Sequence, residues 1–199
     1  MPNSVQSIEK LIEQLTKFPG VGRRSAARMA DYILQAPKEE ALALAGAIIK
    51  VKENVRQCKV CNNLSEAELC AVCNDLRRNK EIICVVENPQ DIEAIEKAGN
   101  YTGAYHVLMG AISPLDGKGP QDLKIESLMD RLKNNHVKEI IIATDADTEG
   151  QITALYLTRA LKPTGIKISR IGLGLPVGGN LEYSDPTTLS HALDSRKEL

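Results

Sequence analysis

Two closely spaced cysteine pairs, Cys58-Lys-Val-Cys61 and Cys70-Ala-Val-Cys73, decide how the middle of this chain folds. In each pair, the C-x2-C spacing lets one tight turn present two thiolates to a single metal ion. Two such turns complete a tetrahedron, so the spacing predicts one structural zinc ion bound by these four cysteines. The alternative is two disulfides, and we favour zinc. Because four thiolates leave zinc no open position, we expect a structural role rather than a catalytic one.

The composition is that of an ordinary folded protein of 199 residues, 43% of them hydrophobic and 26% charged. No segment is long and apolar enough to span a bilayer, and residues 1–11 lack the pattern of a secretory signal. We therefore expect a cytoplasmic protein with reduced thiols, which again favours metal over disulfides. The sequence has no tryptophan and one phenylalanine, which disfavours an aromatic platform for single-stranded bases.

The net charge of −1 is unevenly distributed, with a net +4 on residues 1–60 and a net −5 on residues 61–199. Any contact with nucleic acid is therefore expected in the first part. Apolar residues at helical spacing predict helices over residues 4–17, from residue 23 or 24 to Leu34, and over residues 38–56. The short turn Pro19-Gly-Val-Gly22 separates the first two helices. The two helices and this turn form a helix–hairpin–helix.

The turn between these helices is suited to a phosphate backbone. Its two glycines allow the backbone N–H groups to approach a phosphate closely, and no acidic residue occurs from Lys17 to Arg28. Such contacts bind DNA without reading its bases. The alternative is a plain connecting turn with solvated arginines. The predicted DNA-binding residues are Lys17, Gly20, Gly22, Arg23, Arg24 and Arg28.

After the quartet, strands alternate with helices, which predicts an α/β fold with a mainly parallel sheet. The predicted strands cover residues 81–86, 104–109, 139–144 and 166–171. The predicted helices cover residues 91–98, 123–134, 151–161 and 186–195. Basic residues near the quartet are interpreted as a solvated face, and Cys84 as part of the core. These basic residues are Lys59, Arg77, Arg78 and Lys80.

Carboxylates follow two of the predicted strands. Glu87 ends the first strand, and Asp145 and Asp147 follow the third, ahead of Glu149-Gly150. Because parallel strands end at the same edge of a sheet, we expect an acidic cluster there. The cluster would suit Mg2+ and, in an enzyme, phosphoryl transfer. The alternative is a set of solvent-facing carboxylates at loop starts, where Asp commonly caps the next helix.

Together these motifs resemble the RecR family of bacterial recombination mediators over essentially the whole chain. The strand-ending Glu and the DxD pair resemble the Toprim fold of topoisomerases, primases and some nucleases. Further matches are Tyr105-His-Val-Leu108, Ser113-Pro-Leu115 with Gly119-Pro120, and Pro176-Val-Gly-Gly179 with Leu181-Glu-Tyr183. The resemblance implies a helix–hairpin–helix part, a four-Cys zinc module, a Toprim domain and a C-terminal segment for oligomer contact. Their expected bounds are residues 1–56, 57–78, 79–172 and 173–199.

The resemblance implies a nucleoid-associated mediator without catalysis of its own. Such a protein acts with RecO and RecF to help load RecA onto single-stranded DNA coated by the single-strand-binding protein. It is expected to form a homotetrameric ring around duplex DNA, with Arg24 and Arg28 facing the DNA and Glu149 on the surface that meets RecO. Relatives often carry a neutral residue in place of Asp145. Its presence here keeps Mg2+ binding open, and a Mg2+-dependent Toprim nuclease or primase-like enzyme is the alternative function.

Overall fold

The computed structural model describes residues 5–134, 136–175 and 177–196. The chain divides into two compact units, Met1–Asn54 and Val55–Leu199. The predicted helix start at Ser4, the Pro176 match and the last three residues of the C-terminal segment lie outside the described residues.

The described part of the first unit contains three helices: α1 Gln6–Leu15, α2 Arg23–Gln35 and α3 Lys38–Asn54. Helices α1 and α2 pack through the buried Ile12, Ala26 and Ala30, and the two alanines let the helices approach closely. Val21 in the connecting turn packs against this cluster. Every residue of α3 is described and none is buried. Its exposed large apolar side chains are Leu42, Leu44, Ile48, Ile49 and Val51.

The second unit begins with the cysteine module. Strands β1 Arg56–Gln57 and β2 Leu64–Ser65 pair antiparallel, and the short helix α4 Ala71–Asn74 follows. The sequence did not predict these elements, because strands of two residues and a helix of one turn are too short to show a periodicity.

A parallel sheet of four strands forms the centre of the described part of the second unit. Its strands are β3 Asn79–Val86, β4 Gly103–Val107, β5 Glu139–Ala143 and β6 Lys167–Arg170, in the order β4-β3-β5-β6. Val86 of β3 lies opposite Ala143 of β5, so these two strands end level with each other. The α/β fold with a parallel sheet is therefore confirmed.

Helices cover both faces of this sheet. They are α5 Pro89–Ala98, α6 Ile125–Asn134 and α7 Thr148–Leu161, and α8 Pro186–Asp194 follows β6. Leu128 of α6 and Leu157 of α7 pack on one face, and Ile92 of α5 packs on the other with the buried Cys84. Helix α7 begins three residues before the predicted start, because Asp147 caps it at that point.

Candidate functional site

The structure brings the four predicted zinc ligands together, with all Sγ atoms within 4.8 Å of one another. Cys61 Sγ and Cys70 Sγ are 3.5 Å apart. A disulfide bond would be about 2.0 Å long, whereas zinc–sulfur bonds of about 2.3 Å place tetrahedral sulfurs about 3.8 Å apart. All five cysteines lie in the described residues and none forms a disulfide. The residues therefore fit a tetrahedral zinc ion.

Tight turns hold both cysteine pairs in this arrangement. In the first pair, Asn62 takes a left-handed φ of 61° and its N–H donates to Cys58 O at 3.0 Å. In the second pair, Cys70 precedes α4 and accepts the Asn74 N–H at 3.0 Å. The hydrogen bond between two of the thiols raises the pKa of Cys61 and lowers that of Cys70. A bound Zn2+ would stabilise all four as thiolates.

The first cysteine pair also covers the edge strand of the sheet. The Val107 N–H donates to Cys61 O at 2.8 Å. The Asn62 side-chain amide donates to Val107 O at 3.4 Å and to Ser127 Oγ at 3.2 Å. Both backbone polar groups of Val107 therefore find partners in the zinc module, which protects this end of β4 from pairing with another chain.

A buried histidine lies beside this contact. His106 Nε2 is 2.8 Å from Lys124 O, and burial lowers the pKa of His106 to about 4. The ring is thus neutral near pH 7, and Nε2 donates to the carbonyl. His106 Nδ1 has no hydrogen-bond partner among the described residues. The sequence offered no signal for this environment.

The predicted carboxylates gather where β3 and β5 end. The Asp145 N–H donates to Glu87 Oε1 at 3.0 Å, and only 5% of Glu87 is exposed. Burial raises the pKa of Glu87 to about 7, and the charges of Asp145 and Asp147 add to this rise. The description of these carboxylates as solvent-facing is therefore wrong for Glu87.

Asp147 has a structural role at the same edge. Its Oδ1 accepts the Gly150 N–H at 2.8 Å and caps α7. Thr144 Oγ1 donates to Gly150 O at 2.8 Å. A β-carbon at Gly150 would collide with the Asp145 carbonyl and the Glu87 carboxylate. This close approach requires glycine, while Glu149 occupies the first turn of the helix and is half-buried.

Sequence reasoning missed Asp91, which adds charge to this edge. Asp91 Oδ2 accepts the Asn88 N–H at 2.7 Å in the capping box of α5. Loss of hydration raises the pKa of Asp145, and the charges of Asp91 and Asp147 raise it further. The sequence signal was Asn88-Pro-Gln-Asp91, a capping pattern with a proline at the first helical position.

These carboxylates do not form a set of metal ligands. In the parts of the chain that the structure describes, the cysteine quartet is the only group of three or more His, Cys, Asp or Glu side chains whose ligand atoms lie within 4.8 Å of one another. The predicted Mg2+ site is therefore not supported by the geometry of the edge.

In the basic turn only one of the two glycines uses its freedom to take a positive φ, because Gly22 is extended with a φ of −80°. Gly20 takes a left-handed φ of 76°, and the Val21 N–H donates to Phe18 O at 3.1 Å. Arg23 Nη2 lies 2.5 Å from Glu9 Oε2 of α1, an ion pair that the sequence did not indicate. Among the described residues, Arg24 and Arg28 form no ion pair. They carry the least compensated positive charge of the turn.

The basic residues near the quartet are not all solvated, and that interpretation is wrong for Arg78. Only 16% of the Arg78 side chain is exposed, and it forms an ion pair with Glu96. Arg78 Nη1 also donates to Tyr101 O at 3.2 Å. The guanidinium lowers the pKa of Glu96. Arg78 is therefore a fixed charge between the zinc module and the sheet.

The fold and sites define a class of protein: one that combines a helix–hairpin–helix, a four-cysteine zinc module and a Toprim-like domain. Family models match in that order: the RecR helix–hairpin–helix over residues 8–52, the RecR four-cysteine zinc finger domain over 55–75, the Toprim domain over 81–172 and the RecR C-terminal region over 174–197. Recombination protein RecR of Heliobacterium modesticaldum is 48% identical over 194 residues, which are 98% of each chain. The chain therefore belongs to the RecR family.

Family membership supports several expectations directly. The protein is a recombination mediator in DNA repair that binds DNA and, through its four-cysteine finger, zinc. A RecR protein is not known as an enzyme, and a Toprim domain alone is not evidence of catalysis. No helix in the described residues has the length and hydrophobicity needed to cross a membrane.

Proposed function

We propose that this protein binds the DNA backbone through the turn of its first unit and acts with RecO and RecF to help load RecA. The substrate would be single-stranded DNA coated by the single-strand-binding protein, which implies association with the nucleoid. The observation that carries the proposal is the basic turn, in which Arg24 and Arg28 form no ion pair among the described residues.

The geometry of the turn supports contact with phosphates. Arg24 and Arg28 are four residues apart on α2 and therefore lie on the same side of the helix. Beyond the neighbouring residues, no described atom lies within 4 Å of where a β-carbon of Gly20 or Gly22 would stand. A phosphate can thus approach the backbone N–H groups at the positive end of α2. Lys17 and Arg23 already have partners and would contribute less.

The test compares Arg24→Glu and Arg28→Glu with Lys10→Glu, an equal change of charge elsewhere in the unit. Duplex-DNA affinity is measured at several salt concentrations. The first two variants should bind more weakly, and the slope of log K against log salt should fall by about 1 for each lost phosphate contact. Affinity and slope equal to those of Lys10→Glu would contradict the proposed contacts.

We propose that the protein assembles into a tetrameric ring clamp around DNA. Exposed apolar residues on α3 form a surface that is not buried by any of the described residues. A cavity of about 560 Å3 within the same unit is lined by Ser25, by Arg28 and by apolar side chains that include Met29, Tyr32 and Leu44. Exposed Leu181 and Tyr183 would serve a second contact in the C-terminal segment. Apolar surface of this kind favours association, and several copies would multiply weak phosphate contacts.

Native mass spectrometry tests the assembly. The wild-type chain should be tetrameric with one zinc per chain, whereas Ile49→Glu should give smaller species. Lys50→Glu, a substitution beside it on α3, should assemble normally. A wild-type protein that stays monomeric with and without duplex DNA would refute the ring.

The carboxylate edge is proposed as the surface that meets RecO, with Glu149 as a contact. The half-buried Glu149 and the exposed Asp145 and Asp147 give this edge a negative charge. Glu149→Lys should weaken RecO binding measured by calorimetry, whereas Glu126→Lys on α6 should not. Saturable Mg2+ binding, or a Mg2+-dependent DNA cleavage that Asp145→Asn abolishes, would instead favour the enzyme alternative.

A further inference from the structure

A cavity of about 250 Å3 lies beside the zinc module and combines a zinc ligand with positive charge. Cys73, the least buried of the four ligands, lines it together with Arg78, Lys80 and Arg131. The rest of the lining is almost entirely apolar. Charges that face an apolar cavity interact more strongly than charges in water, so these groups influence one another.

The three cations come from two parts of the second unit, the start of β3 and helix α6, and two of them are held in place. Arg78 precedes β3 and is fixed by Glu96 and the Tyr101 carbonyl. Arg131 belongs to α6, and its Nη1 donates to Tyr105 O at 2.6 Å. Lys80 lies on β3 and is exposed. The fold therefore brings positive charge beside the zinc module from the start of β3 and from α6.

The zinc centre would be negatively charged, because four thiolates and one Zn2+ carry a net −2. Arg78, Lys80 and Arg131 line the same cavity as the zinc ligand Cys73. Positive side chains in that position are suited to offset the negative charge of the zinc centre.

We propose that Arg78, Lys80 and Arg131 act as counter-charges that stabilise the zinc–tetrathiolate centre and thereby raise its affinity for zinc. They are positioning residues, since none of them is a ligand. Groups outside the ligand set commonly change metal affinity by about 10- to 100-fold when they are hydrogen-bonded to it. Because Lys80 is exposed and screened, a smaller effect is expected for it alone.

The experiment measures the zinc dissociation constant of the full chain by competition with a chromogenic chelator, at low and high salt. Lys80→Glu should weaken zinc binding by about tenfold and Lys80→Gln by about threefold at low salt, with smaller effects at high salt. Arg131→Gln should also weaken it. The matched control is Lys162→Glu, just before β6 at the other edge of the sheet from β4, which should bind zinc like the wild type.

Two further readouts separate this role from a general loss of structure. The absorption spectrum of the Co2+-substituted variants should remain that of tetrahedral tetrathiolate, which shows that the ligands are intact. If Arg131→Gln fails to fold, the two Lys80 variants decide the outcome. Zinc affinity in Lys80→Glu equal to that in Lys162→Glu would overturn the proposal. Saturable binding of inorganic phosphate to the zinc-loaded wild type, lost in Lys80→Glu, would also overturn it, because the cations would then form an anion site of their own.

Discussion

The cysteine quartet and the carboxylate edge both bring ionisable side chains together in the second unit, but only the quartet has the geometry of a set of metal ligands. The four Sγ atoms lie within 4.8 Å of one another, with no such grouping among the described carboxylates. At the edge, Glu87 accepts a backbone N–H, and Asp147 and Asp91 cap helices. Two tight turns with C-x2-C spacing bring ligand atoms to one point, whereas strand ends only bring charges to one edge.

Removing a zinc ligand should give the largest effect and test the first half of this comparison. Cys58→Ser should lose the zinc and with it the fold of the module, since a segment this small depends on its metal. The amide of Val107, which donates to Cys61 O, should then exchange faster with deuterium. Zinc content and hydrogen exchange measure these changes. Cys84→Ala, a change of a core cysteine outside the quartet, should keep its zinc; a fully zinc-loaded Cys58→Ser would contradict the four-ligand site.

Among substitutions at the carboxylate edge, a change of Gly150 should reduce stability the most. A β-carbon there meets the Asp145 carbonyl and the Glu87 carboxylate, so Gly150→Ala should destabilise the second unit by about 3 kcal/mol. Gly46→Ala is the matched control, because Gly46 also lies in a helix and has open space around it. That variant should be stabilised by about 0.5–1 kcal/mol. Urea unfolding measures both, and equal effects of the two substitutions would show that the close approach is unimportant.

Burial disfavours the ionised form of Glu87, so removing its negative charge should raise the free energy of unfolding. The folded-state pKa of about 7 exceeds the ordinary value of 4.5, so stability from this group is present below pH 4.5 and is lost as pH rises through 7. Glu87→Gln keeps an oxygen for the Asp145 N–H and should stabilise the protein by about 2 kcal/mol at pH 8. The difference in unfolding free energy between Glu87→Gln and wild type should shrink toward pH 5, where Glu87 is itself protonated.

An unfolding free energy that is lower in Glu87→Gln than in wild type at pH 8 would show that the ionised carboxylate is compensated, as by a bound cation.

The buried His106 should change stability with pH in the opposite sense to Glu87. Its pKa of about 4 lies below the ordinary 6.5, so its contribution is present above pH 6.5 and is lost as pH falls through 4. In wild type the two groups oppose each other in this range, and Glu87→Gln should leave the acid-sensitive contribution of His106 unopposed.

How much of each region the sequence predicted follows from how local its determinants are. The sequence predicted the quartet from cysteine spacing and the sheet from runs of β-branched residues such as Glu139–Ala143. It also predicted that Glu87 and Asp145 lie close together, because each follows a predicted strand. These patterns can be recognised without knowledge of distant contacts. Arg78 with Glu96, Arg23 with Glu9 and Asn62 with Val107 could not be predicted, because their partners are distant in the sequence. These pairs depend on tertiary packing, which leaves no periodic signal.

The smallest effect should come from Asp147, and it separates the structural role of an edge carboxylate from its charge. Asp147→Ala removes the acceptor for the Gly150 N–H and should cost about 1 kcal/mol, the usual value of a helix cap. Asp147→Asn keeps the cap and removes a negative charge that raises the pKa values of Glu87 and Asp145. It should therefore be as stable as wild type or slightly more stable. If thermal unfolding finds Asn as harmful as Ala, the ionised carboxylate itself is required, and the edge would resemble the quartet more than its geometry indicates.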